Sequence, residues 1–267
     1  MRRWMSAGWI FVITLAAASA AHGQSDQKKL ASALAELTAL KTKVGHPDTR
    51  TRVDALHRAW SIALDFPETD VKLQALQLLR DPANSGSDHI RIPAVYAIAE
   101  IANSSGDLLV RQDALSALRG PLNAEQVPIR DAAIDAVNHI SRAPGLAAAT
   151  VTALGPPIQS GNNGVRMPAI NALVRAVVGR EDPGASEAAI DLLAAGPLQS
   201  SAAIGGMEVR MMGVAAMEKI GVDAASVKVK AKAMGLLQSY ATRGGWEPEA
   251  KKRAQDAADR VKATIKE

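Results

Sequence analysis

The sequence predicts an all-α fold, a right-handed α-solenoid of about twelve helices. Three observations lead to this prediction. A nine-residue motif recurs along the chain, its apolar positions follow the period of an α-helix, and turn-forming residues separate the copies. Short amphipathic helices of this kind cannot bury their apolar sides alone, so they are expected to stack.

The motif is clearest as VRQDALSAL, which begins at Val110. Its copies start at positions 51, 71, 90, 110, 129, 147, 165, 185, 209, 229 and 250, and those near Ala147 and Ala185 are weaker. The spacings lie between 18 and 24 residues. The segment SDQKKLASALAELTALKTKV, at 25–44, precedes the first copy and brings the expected number of helices to twelve. Taken in pairs, these helices would repeat about every 39 residues, within the range of helical-hairpin solenoids.

Within each copy the apolar residues occupy positions 0, +4, +5, +7 and +8. At 100° per residue these positions form one broad stripe on a helix, and the alternation expected of a strand is absent. Segments such as NSSGD, RAPG, GNNG and EDPG separate the copies, with Asp, Asn or Ser placed to cap the next helix. Pro93 and Pro168 lie inside two copies, so those helices are expected to start late or to kink there.

The core pattern Val-Arg-x-x-Ala-h-x-Ala-Leu, where h is apolar, resembles that of the HEAT-repeat family over essentially all of the chain after its first residues. The resemblance implies a solenoid of paired helices and says almost nothing about function, since such repeats serve many unrelated partners. One feature departs from the family. HEAT repeats usually carry a basic residue in one helix of each pair, whereas here it falls in successive helices. The residues concerned are Arg52, Lys72, Arg91, Arg111, Arg130, Arg166, Arg210, Lys230 and Lys251.

The repeated basic residue is predicted to be structural. Arg111 follows Val110 by 100° and lies close to the azimuth of Leu118, so it borders the apolar stripe. Its stem can pack at the edge of the core while its guanidinium reaches a turn carbonyl or an acid such as Asp88, Asp107 or Glu208 on a neighbouring unit. The alternative is a row of cations lining a concave surface that binds an acidic partner.

The N-terminus has the layout of a secretory signal peptide. Two arginines precede an apolar run that ends in small residues, and cleavage is expected after Ala20, with Gly23 as the alternative. The predicted organisation is therefore a signal peptide at 1–20 and one solenoid domain at 21–267. The apolar run is short for a membrane anchor, so no membrane insertion is expected after cleavage. The expected location is periplasmic or secreted, in a bacterial cell envelope.

Composition narrows the possible functions. The chain has no cysteine, which excludes disulfides and lipid attachment through cysteine. Removal of residues 1–20 takes away two arginines and no acid, so the net charge falls from +4 to +2. No block of five or six like charges occurs, and no nucleic-acid partner is expected.

The sequence shows no catalytic constellation and implies no cofactor. His22, His46, His57, His89 and His139 lack metal-ligand spacing. The segment GASEA, which contains Ser186, resembles a nucleophile elbow only in its first three residues, and Ser186 is predicted to be a helix cap.

Two local features are ambiguous. The segment MEVRMMGVAAM holds Met207, Met211, Met212 and Met217, which could bind Cu(I) but suit core packing better. Trp246 follows two glycines and is a candidate exposed anchor, or else a cap on the solenoid core.

These observations predict an exported, non-enzymatic protein-binding or assembly scaffold that uses its solenoid surface. Two alternatives remain open at this point. One is an accessory enzyme subunit or a lyase-like HEAT protein, and the other is a copper-binding protein that uses the methionine cluster.

Overall fold

A computed structural model describes residues 26–199 and 206–265. Within these ranges the chain forms thirteen α-helices and one 3₁₀ turn, Pro197–Gln199, and no strand. The α-helices are α1 (26–44), α2 (Thr49–Asp65), α3 (Thr69–Asn84), α4 (Asp88–Ser104), α5 (Leu108–Ala117), α6 (Arg119–Leu122), α7 (Val127–Ile140), α8 (Ala147–Gln159), α9 (Asn163–Val177), α10 (Pro183–Ala195), α11 (Gly206–Asp223), α12 (Val227–Ala241) and α13 (Pro248–Ala263). The predicted signal peptide, 1–20, lies outside the described residues.

The apolar positions of the repeat are the buried positions of the helices. In the copy at 110 all five are at most 1% exposed: Val110, Ala114, Leu115, Ala117 and Leu118. The two weaker copies also fall on helices, α8 and α10. The prediction of an all-α solenoid of about twelve helices is therefore confirmed.

The helices form two layers. Helices α2, α4, α7, α9, α11 and α13 pack against one another in succession, and α3, α5, α8, α10 and α12 do the same on the other side. Helix α1 belongs with the second set, because Gln74 of α3 donates to the Thr38 hydroxyl of α1 at 2.9 Å. We call the set that contains α1 and α3 layer 1, and the set that contains α2 and α4 layer 2. One continuous apolar core runs between them from Ala33 to Val261, so successive helices are paired across the core although both layers carry the basic residue.

Several predicted breakers act as helix caps. The carboxylates of Asp48, Asp107 and Asp182 and the amide of Asn162 accept backbone hydrogen bonds in the first turns of α2, α5, α10 and α9. The prediction that Ser186 caps a helix is wrong. Pro183 starts α10, so the cap is Asp182, and Ser186 lies inside the helix at 5% exposure.

The prediction of a late start at Pro93 and Pro168 is also wrong. Helix α4 begins at Asp88 and α9 at Asn163, several residues before each proline. Ile90, in the first turn of α4, is fully buried, and this packing holds the turn although proline cannot donate a backbone hydrogen bond. A kink at either proline stays a prediction.

The segment around Gly120 forms the additional short helix α6, which the repeat pattern did not predict. Leu118 remains in a helical conformation between α5 and α6, and Leu122 is fully buried. A Cβ atom at Gly120 would overlap the Asn84 side chain, which itself donates to the Arg80 carbonyl at 2.7 Å. Glycine lets the Asn84 side chain lie directly against the α6 backbone, and a larger residue would have to displace that side chain.

Candidate functional site

Two histidines of the described residues contact backbone groups. The His46 Nδ1 accepts from the backbone of Asp48 at 3.1 Å, and the His139 ring lies 2.8 Å from the Asp135 carbonyl. Within 26–199 and 206–265, no cluster of three His, Asp or Glu residues could hold a metal ion. His22 lies outside the described residues.

The two ambiguous features of the C-terminal region contribute to packing. Met217 is fully buried, and Met211 and Met212 pack against the core. Trp246 is 7% exposed and stacks on Tyr240, with ring centroids 5.0 Å apart. Burial raises the pKa of Tyr240.

Trp246 is therefore a cap on the solenoid core, and the prediction that it is an exposed anchor is wrong. The two glycines before it led to that prediction, since they are typical of an exposed loop. Instead the indole packs between Tyr240 and the Arg210 guanidinium, which lies 5.6 Å from the centre of its ring.

The repeated arginines bind the ends of neighbouring helices. Arg91 donates to the Ala83 carbonyl at 3.3 Å, and Arg130 donates to the Ala124 carbonyl at the same distance. Arg166 donates to the carbonyl of Ser160, the C-cap of α8. Because the last carbonyls of a helix have no partner within it, these cations satisfy acceptors that folding would otherwise bury unpaired.

Two of the repeated arginines, Arg91 and Arg210, also reach the next helix of layer 2. Arg91 donates to Gln126, the N-cap of α7, at 3.2 Å, and Arg210 forms an ion pair with Glu247, the N-cap of α13, at 2.9 Å.

We define the arginine row as Arg52, Arg91, Arg130, Arg166 and Arg210. Burial lowers the pKa of Arg166. From Arg91 onwards these arginines are at least nine-tenths buried, so this part of the row packs between helices rather than presenting an open cationic surface.

Arg111 reaches a carbonyl near the end of a neighbouring helix, as the structural interpretation predicts. Its Nε donates to the Ala102 carbonyl of α4 at 3.3 Å. Asp107, which was considered as a partner, instead accepts from the Thr69 hydroxyl at 2.6 Å and from the Leu109 backbone at 2.8 Å. In layer 1 the Lys72 ammonium is 3% exposed and donates to the Ser104 hydroxyl at 2.9 Å, and burial lowers its pKa.

A groove on layer 2 is the best candidate for a binding site. It lies between α2 and α4 and encloses about 240 Å³. Its lining residues are one, three or four positions apart along each helix, so each helix contributes one face. They are Leu56, His57, Trp60, Pro93, Tyr96, Ala97 and Glu100.

The groove has an apolar floor and a polar rim. Leu56 and Ala97 are buried beneath it, while His57 and Glu100 are exposed at its edges. Tyr96 is 51% exposed, a high value for an aromatic side chain. The Trp60 indole Nε1 is buried and has no hydrogen-bond acceptor in the described part of the chain. Such a surface suits an apolar side chain of a partner, with aromatic rings as its walls.

Sequence reasoning did not find this groove. Trp60 and Tyr96 lie at positions +9 and +6 of their copies, outside the five apolar positions. Only five aromatic residues follow the predicted signal peptide, so two of them on the solvent side of neighbouring layer-2 helices were a usable signal.

Together, the layers and the groove define a helical-repeat solenoid of the armadillo and HEAT-like kind. No family model and no curated protein sequence matches this chain. Among solved structures it is similar to a computationally designed armadillo repeat protein for modular peptide recognition, at 21% identity over 84% of this chain and 99% of that one, with a TM-score of 0.44. It is also similar to an archaeal HEAT-like repeats protein from Thermococcus onnurineus NA1, at 13% identity over 86% and 88%, with a TM-score of 0.45.

A third similar structure is UNC-45 from Drosophila melanogaster, at 14% identity, with a TM-score of 0.44. The match covers 86% of this chain and 31% of that one. These likenesses concern the arrangement of helices, and the functional argument rests on the side chains of this chain. No helix in the described ranges is long and apolar enough to cross a membrane.

Proposed function

We propose that this chain is an exported, non-enzymatic scaffold that binds or assembles protein partners, with the groove between α2 and α4 as its contact. The half-exposed Tyr96 beside the floor formed by Leu56 and Ala97 is the observation that carries the proposal. Tyrosine and tryptophan dominate the energetics of protein interfaces because they bury a large area at a small entropic cost.

The partner segment that fits this groove carries an apolar side chain flanked by polar groups. The apolar side chain would contact Trp60 and Pro93 on the groove walls, and His57 and Glu100 would meet the polar groups at the rim. The export part of the proposal rests on the two arginines and the apolar run of residues 1–20.

A retention experiment with two alanine substitutions tests the binding site. The mature chain is immobilised, exposed to envelope extract of the source organism, and its retained proteins are quantified by mass spectrometry. Tyr96→Ala should lose the partner at least about tenfold, the loss expected of an interface hot spot. Leu109→Ala is the matched control, because Leu109 is 61% exposed and lies outside the groove.

The result that contradicts this site is a partner retained equally by the wild type and Tyr96→Ala. Export is tested separately by sequencing the N-terminus of the cell-envelope protein, which should begin near Ala21 or Gln24. Full-length chain firmly embedded in membrane would contradict export.

A further inference from the structure

Arg52 differs from the rest of the arginine row. Arg91, Arg130 and Arg166 each donate to a carbonyl near the end of the preceding helix, whereas the side chain of Arg52 makes no hydrogen bond or ion pair with any residue that the structure describes. Its Nε–H is buried without an acceptor, as is that of Arg130, but the Arg130 guanidinium is held through Nη1 whereas no side-chain nitrogen of Arg52 has a described acceptor. A buried donor left unsatisfied destabilises the folded chain, so a ligand that supplies an acceptor is favoured there.

The Arg52 side chain lines a cavity of about 390 Å³. The end of α1, the start of α2 and the end of α3 form its walls. The other polar side chains in the lining are Lys41, Gln77, Asp81 and Ser85. Gly86 allows the guanidinium to lie against the turn before α4, because a Cβ there would be 2.8 Å from Nη2 and the backbone has φ = 104°.

We propose that this cavity binds a carboxylate of a partner polypeptide through Arg52 and Lys41. A guanidinium binds a carboxylate through two parallel hydrogen bonds, and the nearby ammonium adds a second positive charge. Asp81 contributes one negative charge, so the three ionised side chains carry a net charge of +1. That charge matches a carboxylate, which carries one negative charge, better than a dianion such as phosphate.

The surroundings of the cavity favour a polypeptide as the carrier of this carboxylate. A second cavity of about 360 Å³ shares Lys41, Gln77 and Asp81 with the first and extends to Thr38 and Gln74. Together the two cavities form a groove between α1 and α3, which gives room for residues next to the carboxylate. The Gln77 side-chain amide lines both cavities, makes no hydrogen bond with a described residue, and can pair with a peptide backbone.

The experiment follows the Arg52 Nε–Hε resonance of the full mature chain by NMR while peptides are added. The probes are an acetylated alanine peptide with a free C-terminal carboxylate and an acetylated, amidated alanine peptide with a central Glu. Their neutral counterparts are the amidated alanine peptide and the Gln peptide, and inorganic phosphate serves as the dianion. The two carboxylate probes distinguish a chain terminus from an acidic side chain.

We expect a saturable shift with at least one carboxylate probe, weakened by salt, and none with its neutral counterpart. Arg52→Gln and Lys41→Gln should each weaken this binding at least about fivefold, a change of about 1 kcal/mol. Lys43→Gln, which removes the same charge from an exposed position outside the cavity lining, should change it less than about twofold. Arg52→Gln should also retain the melting temperature of the wild type, because no described partner depends on it.

The inference is overturned if neither carboxylate probe shifts the resonance, if phosphate binds more tightly, or if Arg52→Gln binds as well as the wild type. The inference rests on the proposed protein-binding function only in its choice of a polypeptide ligand. If the peptides do not bind but a partner depends on Tyr96, only the proposed Arg52 site is contradicted. If the peptides bind but no partner depends on Tyr96, only the proposed groove between α2 and α4 is contradicted.

Discussion

Replacement of Arg91 tests whether the arginine row stabilises the solenoid. The side chain is 9% exposed and makes two charge-assisted hydrogen bonds, at 3.3 Å to Ala83 and 3.2 Å to Gln126. Arg91→Ala removes both bonds and the packed stem, so we expect a loss of about 2–4 kcal/mol in the free energy of unfolding. Arg91→Met keeps most of the stem and should lose about half as much.

Arg111 provides a graded comparison within the same motif. It is partly exposed and makes one described side-chain hydrogen bond, at 3.3 Å, so Arg111→Ala should cost about 1–2 kcal/mol. Leu118→Ala is the positive control, because a fully buried leucine should cost about 2–5 kcal/mol.

The assay is urea unfolding of the mature chain, followed by circular dichroism and by tryptophan fluorescence. Trp60 and Trp246 lie near opposite ends of the helix order, so coincident transitions would show that the array unfolds cooperatively. An Arg91→Ala protein within about 0.5 kcal/mol of the wild type, beside a clearly destabilised Leu118→Ala protein, would refute the structural role. The row would then be better explained as a binding surface.

The remaining predictions concern a close helix contact and one helix cap. A Cβ at Gly221 would lie 2.8 Å from the Cβ of Ala233, so Gly221→Ala should cost about 1–3 kcal/mol. Gly235→Ala, which meets open space in α12, should stabilise the chain by about 0.5–1 kcal/mol; the opposite order in thermal unfolding would contradict this packing. The hydrogen bonds from the Thr69 hydroxyl and the Leu109 backbone lower the pKa of Asp107 in the folded chain. Their stabilisation is therefore present above the unfolded-state pKa of about 4 and is lost as the pH falls from there through the folded-state pKa. Asp107→Asn should flatten that part of the stability–pH curve, and an unchanged curve would contradict the proposed cause.

The sequence predicted the helices well because their apolar positions form a local pattern. The buried set from Val110 to Leu118 follows directly from helical geometry, and the predicted turn signals included the caps Asp107 and Asp182. The paired layers were less certain, since the basic residue occurs in successive helices and gave no indication of which helices pack side by side.

The candidate site depends on contacts between distant segments, and the sequence alone could not provide them. Trp60 and Tyr96 meet across a groove because α2 and α4 are neighbours in layer 2, although α3 separates them along the chain. Trp246 appeared exposed from its local sequence, but Tyr240 and Arg210 enclose it. Arg52 occupies the same position of the repeat as Arg91, and this position does not reveal that the contacts of the two side chains differ.

Site-specific photocrosslinking in the source cells tests the central claim most directly. A photoreactive phenylalanine analogue replaces Tyr96 in one strain and Leu109 in another, since both positions are exposed and only Tyr96 lines the groove. The account predicts one discrete protein adduct at position 96 that is absent at position 109. The same adducts at both positions, or an adduct at position 109 alone, would contradict a protein-binding groove between α2 and α4.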